Sequence, residues 1–294
     1  MEQRKTNIVF LVVLVGAVLG TWGLTSLYLT SPQTGTGNLI TIQIDGSTTC
    51  LPIISACAED FMDLYSNYDI QVAGGGSGDG IAHVTDGLVD IGMASRNVKA
   101  PPDENATGNL VDWKFCLDGI AIIVSSADAH GLSTADLTFA EIRSIWNGTY
   151  QDWSDVPGCS GSGDIVVWSR ASGSGTLATF EELTGLEDDP EYPTNYTSHN
   201  KATSNGQMRT EISNNDDAIG YVGLGYLDSS VAGAVVESVS PTPSEVKAGN
   251  YPISRYLHLI TNGAPNAGVQ AFIDFVYGPT GQAIVEEEGF VTLY

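Results

Sequence analysis

Three short stretches carry side chains suited to a single task. They are Asp45-Gly-Ser-Thr-Thr49, Gly74-Gly-Gly-Ser-Gly-Asp-Gly80 and Arg170-Ala-Ser-Gly-Ser-Gly-Thr176. Each mixes glycine with serine or threonine, and the third begins with an arginine. Glycine lets a backbone approach a ligand closely, and hydroxyls add donors to the backbone N–H groups. Where such a loop runs into a helix, free N–H groups and the positive end of the helix dipole converge on one point. That is oxyanion-binding chemistry. Taken singly, each stretch has an ordinary explanation as an N-cap, a flexible turn or an ion-paired surface arginine. Taken together, two neutral nests and one guanidinium fork suit a small dianion.

Other chemistries find no comparable pattern. The phosphate loop G-x-x-x-x-G-K-[ST] is absent, and Gly74–Gly80 satisfies G-x-G-x-x-G in no register. Neither Ser77 nor Ser174 lies in G-x-S-x-G, and there is no H-E-x-x-H or C-x-x-C. His83, His130, His199 and His258 are scattered. No enzymatic activity, metal or cofactor is expected. Cys50 and Cys57 are about 10 Å apart along a helix, too far to bridge, while Cys116 and Cys159 are open to pairing in an oxidising exterior.

The loops need elements to position them. Apolar runs predict strands at Leu39–Ile44, Asp69–Val72, Val89–Ala94, Leu117–Val124, Ile165–Ser169, Ala218–Val222 and Arg255–Thr261. Helical spacing predicts helices at Leu51–Tyr65, Ile81–Leu88 and Thr176–Leu183. Thr138 and Glu141 form a capping box opening a helix through Trp146, and Ser204 with Gln207 opens another. Pro265–Tyr277 reads as a helix stopped by Gly278-Pro279. Strand, loop and helix alternate, which argues an α/β protein with largely parallel sheets. In such sheets the loops gather at the carboxyl ends of the strands.

Composition narrows the partners. Of 294 residues, 11 are Lys or Arg and 35 Asp or Glu, so the net charge is −24 and no basic face for a nucleic acid is available. The 42% hydrophobic share supports a large core. Arg4 and Lys5 precede an uncharged apolar run, Ile8 to Leu29, long enough for a bilayer at about 1.5 Å per residue. It reads as a hydrophobic helix, either an uncleaved anchor or a signal peptide, with residues 1–7 in the cytoplasm and the remainder outside. Residues 30–38 form a polar tether. Sequons at Asn105, Asn147 and Asn195 agree with an exterior location and raise a glycoprotein reading.

Residues 45–96 resemble the phosphate-binding proteins of phosphate ABC transporters. The stretches are Asp45-Gly-Ser-Thr-Thr-Cys-Leu-Pro52, Gly74–Gly80 and Asp90-Ile-Gly-Met-Ala-Ser-Arg96. The resemblance continues through Leu117–Val124, Ile145-Trp-Asn-Gly148, Ser169–Thr176, Ala218-Ile-Gly-Tyr-Val-Gly223 and Tyr251-Pro-Ile-Ser-Arg255, spanning about residues 40–294. It implies a two-lobed periplasmic-binding-protein fold with two hinge strands. Residues 1–37 precede it; 38–123 and 256–294 make lobe 1, and 124–255 lobe 2. The ligand set it implies is Thr48, Thr49, Ser77, Ser95, Arg170, Ser174, Gly175 and Thr176, with Ser47, Gly78 and Arg96 beside them. Family members often place an Asp after the third strand to accept the phosphate proton. Here that neighbourhood reads Ala94-Ser95-Arg96, and Ser95 is the expected acceptor ahead of Asp45 and Asp79.

The implied function is capture of inorganic phosphate in an interlobe cleft, as a monomer, for delivery to the permease subunits of an ABC transporter. The alternatives are a receptor for sulfate, molybdate or tungstate, and an extracellular enzyme or signalling domain on the same fold.

Overall fold

A computed structural model describes residues 38–100, 103–105 and 108–294; the apolar run Ile8–Leu29 lies outside them. β1 (Ile40–Gly46) leads through the first glycine loop into α1 (Leu51–Leu64). β2 (Tyr68–Val72) leads through the second into α2 (Ser77–Thr85), and β3 (Ile91–Ala94) follows. β4 (Leu110–Ser125), β5 (Asp136–Leu137), α3 (Phe139–Trp146), β6 (Val166–Arg170) and α4 (Gly175–Thr184) come next. Then come α5 (Tyr192–Ser198), β7 (Asn200–Ala202), α6 (Asn205–Ser213) and β8 (Ala218–Gly223). β9 (Val231–Gly233), β10 (Val235–Val236) and α7 (Pro243–Lys247) precede β11 (Ser254–Asn262), α8 (Ala267–Tyr277) and α9 (Pro279–Glu287).

The main sheet runs β2-β1-β3-β11-β4-β8-β6-β7, with β9 also on β4. At each end the strands are parallel and joined through helices, as expected. The middle is not: β11 is antiparallel to β3 and β4, and β4 is antiparallel to β8. The reason lies in β4, whose 16 residues extend seven positions before the expected start at Leu117. Residues 110–119 pair with β11, whereas residues 120–125 pair with β8 and β9. One strand therefore serves two cores. The first is built on Ile42, Ile53, Phe61, Met93, Phe115 and Phe272. The second is built on Ile122, Trp146, Trp153, Phe180, Tyr221 and Ile253. Two α/β lobes with β4 and β11 between them is the result.

Local chemistry sets the helix ends. The Thr138–Glu141 capping box forms at α3, and Ser174 and Ser204 accept from the N–H groups of Leu177 and Gln207 at α4 and α6. α4 ends on Gly185 in the left-handed region, at φ 73°. Gly278-Pro279 stops α8, as expected, but Pro279 also starts α9, because proline at a first helical position gives up no hydrogen bond. All four cysteines are free. Cys116 lies in the first core and Cys159 packs on the second, so the pairing left open for them does not form.

α2 departs from its expected Ile81–Leu88 span, beginning at Ser77 inside the glycine run and ending at Thr85. Gly80 explains the early start. A Cβ on Gly80 would lie 2.7 Å from the carbonyl oxygens of both Asp45 and Met93, so the helix sits directly on the backbone of β1 and β3. The glycines serve close packing rather than looseness. Gly80→Ala is expected to lower stability by about 1–3 kcal/mol through overpacking against rigid backbone. Scanning calorimetry checks this, and an unchanged midpoint would show that α2 can lift off the sheet without cost.

Candidate anion-binding site

The carboxyl ends of β1, β2, β3 and β6 meet at the seam between the two cores. Ser47, Thr48 and Thr49 precede α1, Ser77 opens α2, Ser95 follows β3, and Arg170 ends β6 just before the start of α4. The lobes touch here. Thr49 Oγ1 lies 3.1 Å from Thr176 Oγ1, and Arg170 Nη2 donates to Thr48 Oγ1 at 3.1 Å. The Gly78 N–H donates to the Gly173 carbonyl at 3.0 Å. Ser77 and Ser95 form a hydroxyl pair at 3.3 Å, with the Ser95 N–H donating to Ser77 Oγ at 3.0 Å. Gly175 packs so tightly on that pair that any side chain there would collide with both Oγ atoms.

The remaining expected residues take subsidiary places. Ser174 caps α4, and Ser47 Oγ accepts from the Thr49 N–H at 3.2 Å. Arg96 stays apart, its guanidinium forked onto Glu104 at 2.7 and 2.5 Å. Asp45 accepts from the Gly46 N–H and pairs with His83 Nδ1, both at 2.7 Å, and Asp79 lies against Gly75. Asp45 is thereby engaged by partners outside the hydroxyl cluster. A cleft of about 220 Å³ opens beside it, lined by Arg96, Lys114, Thr179, Arg255 and His258 among others.

Two buried guanidiniums flank the cluster, and their surroundings differ. Arg255 on β11 is the register partner of Asp118 on β4. Its Nε and Nη2 donate to Asp118 Oδ2 at 3.0 and 2.8 Å, and its Nη1 donates to the Ser95 carbonyl at 2.9 Å. Nη2 also reaches Thr176 Oγ1 at 3.1 Å and Thr49 Oγ1 at 3.3 Å, one from each lobe. Asp118 is 0% exposed, and its other oxygen accepts from the Leu224 N–H at 2.9 Å. Burial pushes its carboxyl pKa up, against the pull of Arg255.

Arg170 is 1% exposed, and among the described residues it forms no ion pair with a carboxylate. Its Nε and Nη2 donate to the carbonyls of Ala202 and Thr203, both at 3.2 Å. Its Nη1 is buried without a hydrogen-bond partner among the described residues. Burial lowers its pKa to about 10.

Arg255, Asp118 and Asn205 belong to the cluster although loop chemistry did not point to them. Asn205 Nδ2 donates to Thr49 Oγ1 at 2.9 Å and Thr48 Oγ1 at 3.3 Å. Arg255 and Asp118 stand in stretches that carry the family resemblance but read there as strand residues. Asn205 has only the neighbouring cap at Ser204 to mark it. Among the described residues no group of three or more His, Cys, Asp or Glu could hold a metal ion, and no helix is long and apolar enough to cross a membrane.

Two separate α/β cores, joined by antiparallel strands and meeting over a nest of donors, define a two-lobed ligand-binding protein. Residues 31–280 match the profile of the PBP superfamily domain. The chain is 31% identical to the phosphate-binding protein PstS of Bacillus subtilis over 261 residues, 85% of this chain and 80% of that protein. Among solved structures, one from Clostridium perfringens, described as a phosphate ABC transporter substrate-binding protein with bound phosphate, aligns with a TM-score of 0.77 and 30% identity. That alignment covers 86% of this chain and all of the other (100%). An ABC-type phosphate transport receptor from Vibrio cholerae gives a TM-score of 0.68 at 27% identity, covering 85% and 99% of the two chains. The chain belongs to the PBP superfamily and, within it, to the family of the PstS phosphate-binding proteins.

The wall behind Arg170 carries a titratable group. His199 Nδ1 lies 3.0 Å from Ser169 Oγ, and burial, aided by the Lys201 charge, lowers its pKa from 6.5 to about 4. The unfolded chain therefore binds this proton first. Its contribution to stability is complete above about pH 6.5 and is lost as the pH falls towards about 4. Thermal midpoints across that window should fall with acidity, and His199→Gln should flatten the slope. An equally steep slope in the variant would assign the acid sensitivity to other groups.

Proposed function

We propose that the protein captures inorganic phosphate between its lobes, outside the cytoplasm, and delivers it to the permease of an ABC transporter. The observation that carries this reading is Arg170, a buried cation whose Nη1 has no hydrogen-bond partner and which has no carboxylate partner among the described residues, set where three helix-start loops converge. A tetrahedral dianion supplies the missing charge and accepts from the surrounding donors. The names of the relatives point to phosphate as that anion.

The ligand set of this proposal is Thr48, Thr49, Ser77, Ser95, Arg170, Ser174, Gly175 and Thr176, with Ser47 and Gly78 at its edge. Arg96, engaged by Glu104, is left outside it. The lobes of this proposal are residues 38–123 with 256–294, and residues 124–255, although Ile120–Ile123 pack with the second core, a few positions ahead of that boundary. Thr48, Thr49, Ser77 and Ser95 come from the first lobe, and Arg170 to Thr176 from the second. A ligand touching both favours the closed arrangement by the contacts it makes only there. Hinge closure needs no bond chemistry, so no turnover is proposed. The protein acts as a monomer, held near its permease through Ile8 to Leu29, which raises the effective concentration. Glycans at Asn147 or Asn195 would have to share amide nitrogens that already donate, to Asp189 and to the carbonyls of Asn147 and Glu191.

One observation favours a second reading, a receptor for another tetrahedral oxyanion such as sulfate. Both oxygens of Asp118 are engaged, so the nearby buried carboxylate does not read the phosphate proton. Calorimetric titration of the full chain with phosphate, in the presence and absence of sulfate, separates the two. Arg170→Lys keeps the charge but loses the fork, and phosphate affinity should fall about 100-fold. No heat with phosphate, or an unchanged affinity in the variant, would defeat the proposal.

A further inference from the structure

We infer that Asn205 and Arg255 set the polarity of three threonine hydroxyls, so that this side of the cluster offers an anion the donor protons of Thr48 and Thr176 and no acceptor. Asn205 is then a positioning residue that determines specificity. The inference rests on the anion-binding reading above and extends it to how the anion's protonation is discriminated.

The argument is one of hydrogen-bond capacity. A hydroxyl donates one hydrogen bond and accepts two. Asn205 opens α6 and is 0% exposed. The Gly223 N–H, which can only donate, points at its Oδ1 from 3.3 Å, so the amide must present its NH₂ to the threonines. One hydrogen goes to Thr48 Oγ1 and the other to Thr49 Oγ1. Thr48 Oγ1 also accepts from Arg170 Nη2, and Thr49 Oγ1 from Arg255 Nη2. Both acceptor positions on each oxygen are thereby occupied, and each hydroxyl is left able only to donate.

The polarity then propagates across the seam. Thr49 and Thr176 lie 3.1 Å apart, and Thr49 has no acceptor position left, so it is the donor of that pair. Thr176 Oγ1 accepts from Thr49 and from Arg255 Nη2, and its own proton is free only for a further acceptor. Arg255 serves both threonines with one hydrogen of Nη2, because the other is held by Asp118. Asn205 and Thr176 stand with the second core while Thr48 and Thr49 stand with the first. The polarity is therefore set only while the lobes are together.

A donor-only face accepts the bare oxygens of phosphate or sulfate and rejects a protonated one. The proton of monohydrogen phosphate must then face the Ser77–Ser95 pair, where the Ser95 hydroxyl keeps an acceptor position whichever of the two donates. Freeing Thr48 and Thr49 from Asn205 would return an acceptor position to each, and would help phosphate relative to sulfate.

The test titrates the full chain with inorganic phosphate, and with sulfate by displacement, for wild type, Asn205→Ala and Asn205→Asp. Thermal melts confirm that each is folded. Wild type should bind both anions. In Asn205→Ala, sulfate affinity should fall about tenfold while phosphate falls less than about threefold. In Asn205→Asp, the carboxylate draws both hydroxyl protons to itself, and both anions should weaken by about 100-fold or more. If the alanine variant does not fold, Asn205→Ser, whose single hydroxyl serves one threonine at a time, is held to the same shift in ratio. Equal losses of both anions in Asn205→Ala would reduce Asn205 to packing and overturn the inference. So would undiminished binding in Asn205→Asp, or a wild type that binds phosphate but never yields it to sulfate. A wild type that takes up neither anion would remove the binding reading itself, and this inference with it.

Discussion

Burying the Arg170 guanidinium without a carboxylate is the constraint around which the molecule is arranged. Taking a cation out of water costs several kcal/mol, and neutral acceptors return only part of it. Arg170 donates to the Thr48 hydroxyl and to two carbonyls at the end of β7, and its Nη1 has no acceptor among the described residues. Arg255 close by shows what a fully compensated buried guanidinium looks like here, with Asp118 opposite it in the hinge ladder. The difference between the two is one negative charge. A site short by one negative charge, and lined by N–H and O–H donors, is specified for an anion before any ligand is named.

This also explains how a chain of net charge −24 can hold an anion. Surface charges are screened beyond roughly 8–10 Å, whereas the donors act at about 3 Å from inside the protein. The acidic surface and the donor nest do not compete because they act over different distances. The hinge takes part in the same arrangement. β4 and β11 carry Asp118 and Arg255, and one nitrogen of Arg255 reaches a threonine from each lobe. The strands that run between the two cores thus also hold residues of the cluster.

Much of the scaffold was legible in the residues because its causes are local. The capping box of Thr138 and Glu141 and the cap at Ser204 involve residues a few positions apart, and they appear where the pattern places them. The three glycine-rich loops likewise announced their chemistry through composition and position. Where the local reading slipped, a distant contact was responsible. α2 begins early because Gly80 rests on the backbone of β1 and β3, and β4 begins early because its first half completes a ladder with β11.

The sequence by itself determined the α/β alternation and brought forward the three loops, with Arg170 at the head of the third, as candidates for oxyanion chemistry. Loop composition, apolar period and helix caps are short-range properties of a chain. The tertiary structure alone decided which neighbours complete the site. Asn205 meets Thr48 across 157 positions and Arg255 meets Thr49 across 206, and no periodicity or spacing reports a contact made at such separation. Only folding shows that Asp118 pairs with Arg255, that Arg170 is not so paired among the described residues, and that the threonines lie between them. Those facts depend on which strands lie side by side, and that is a property of the assembled sheet.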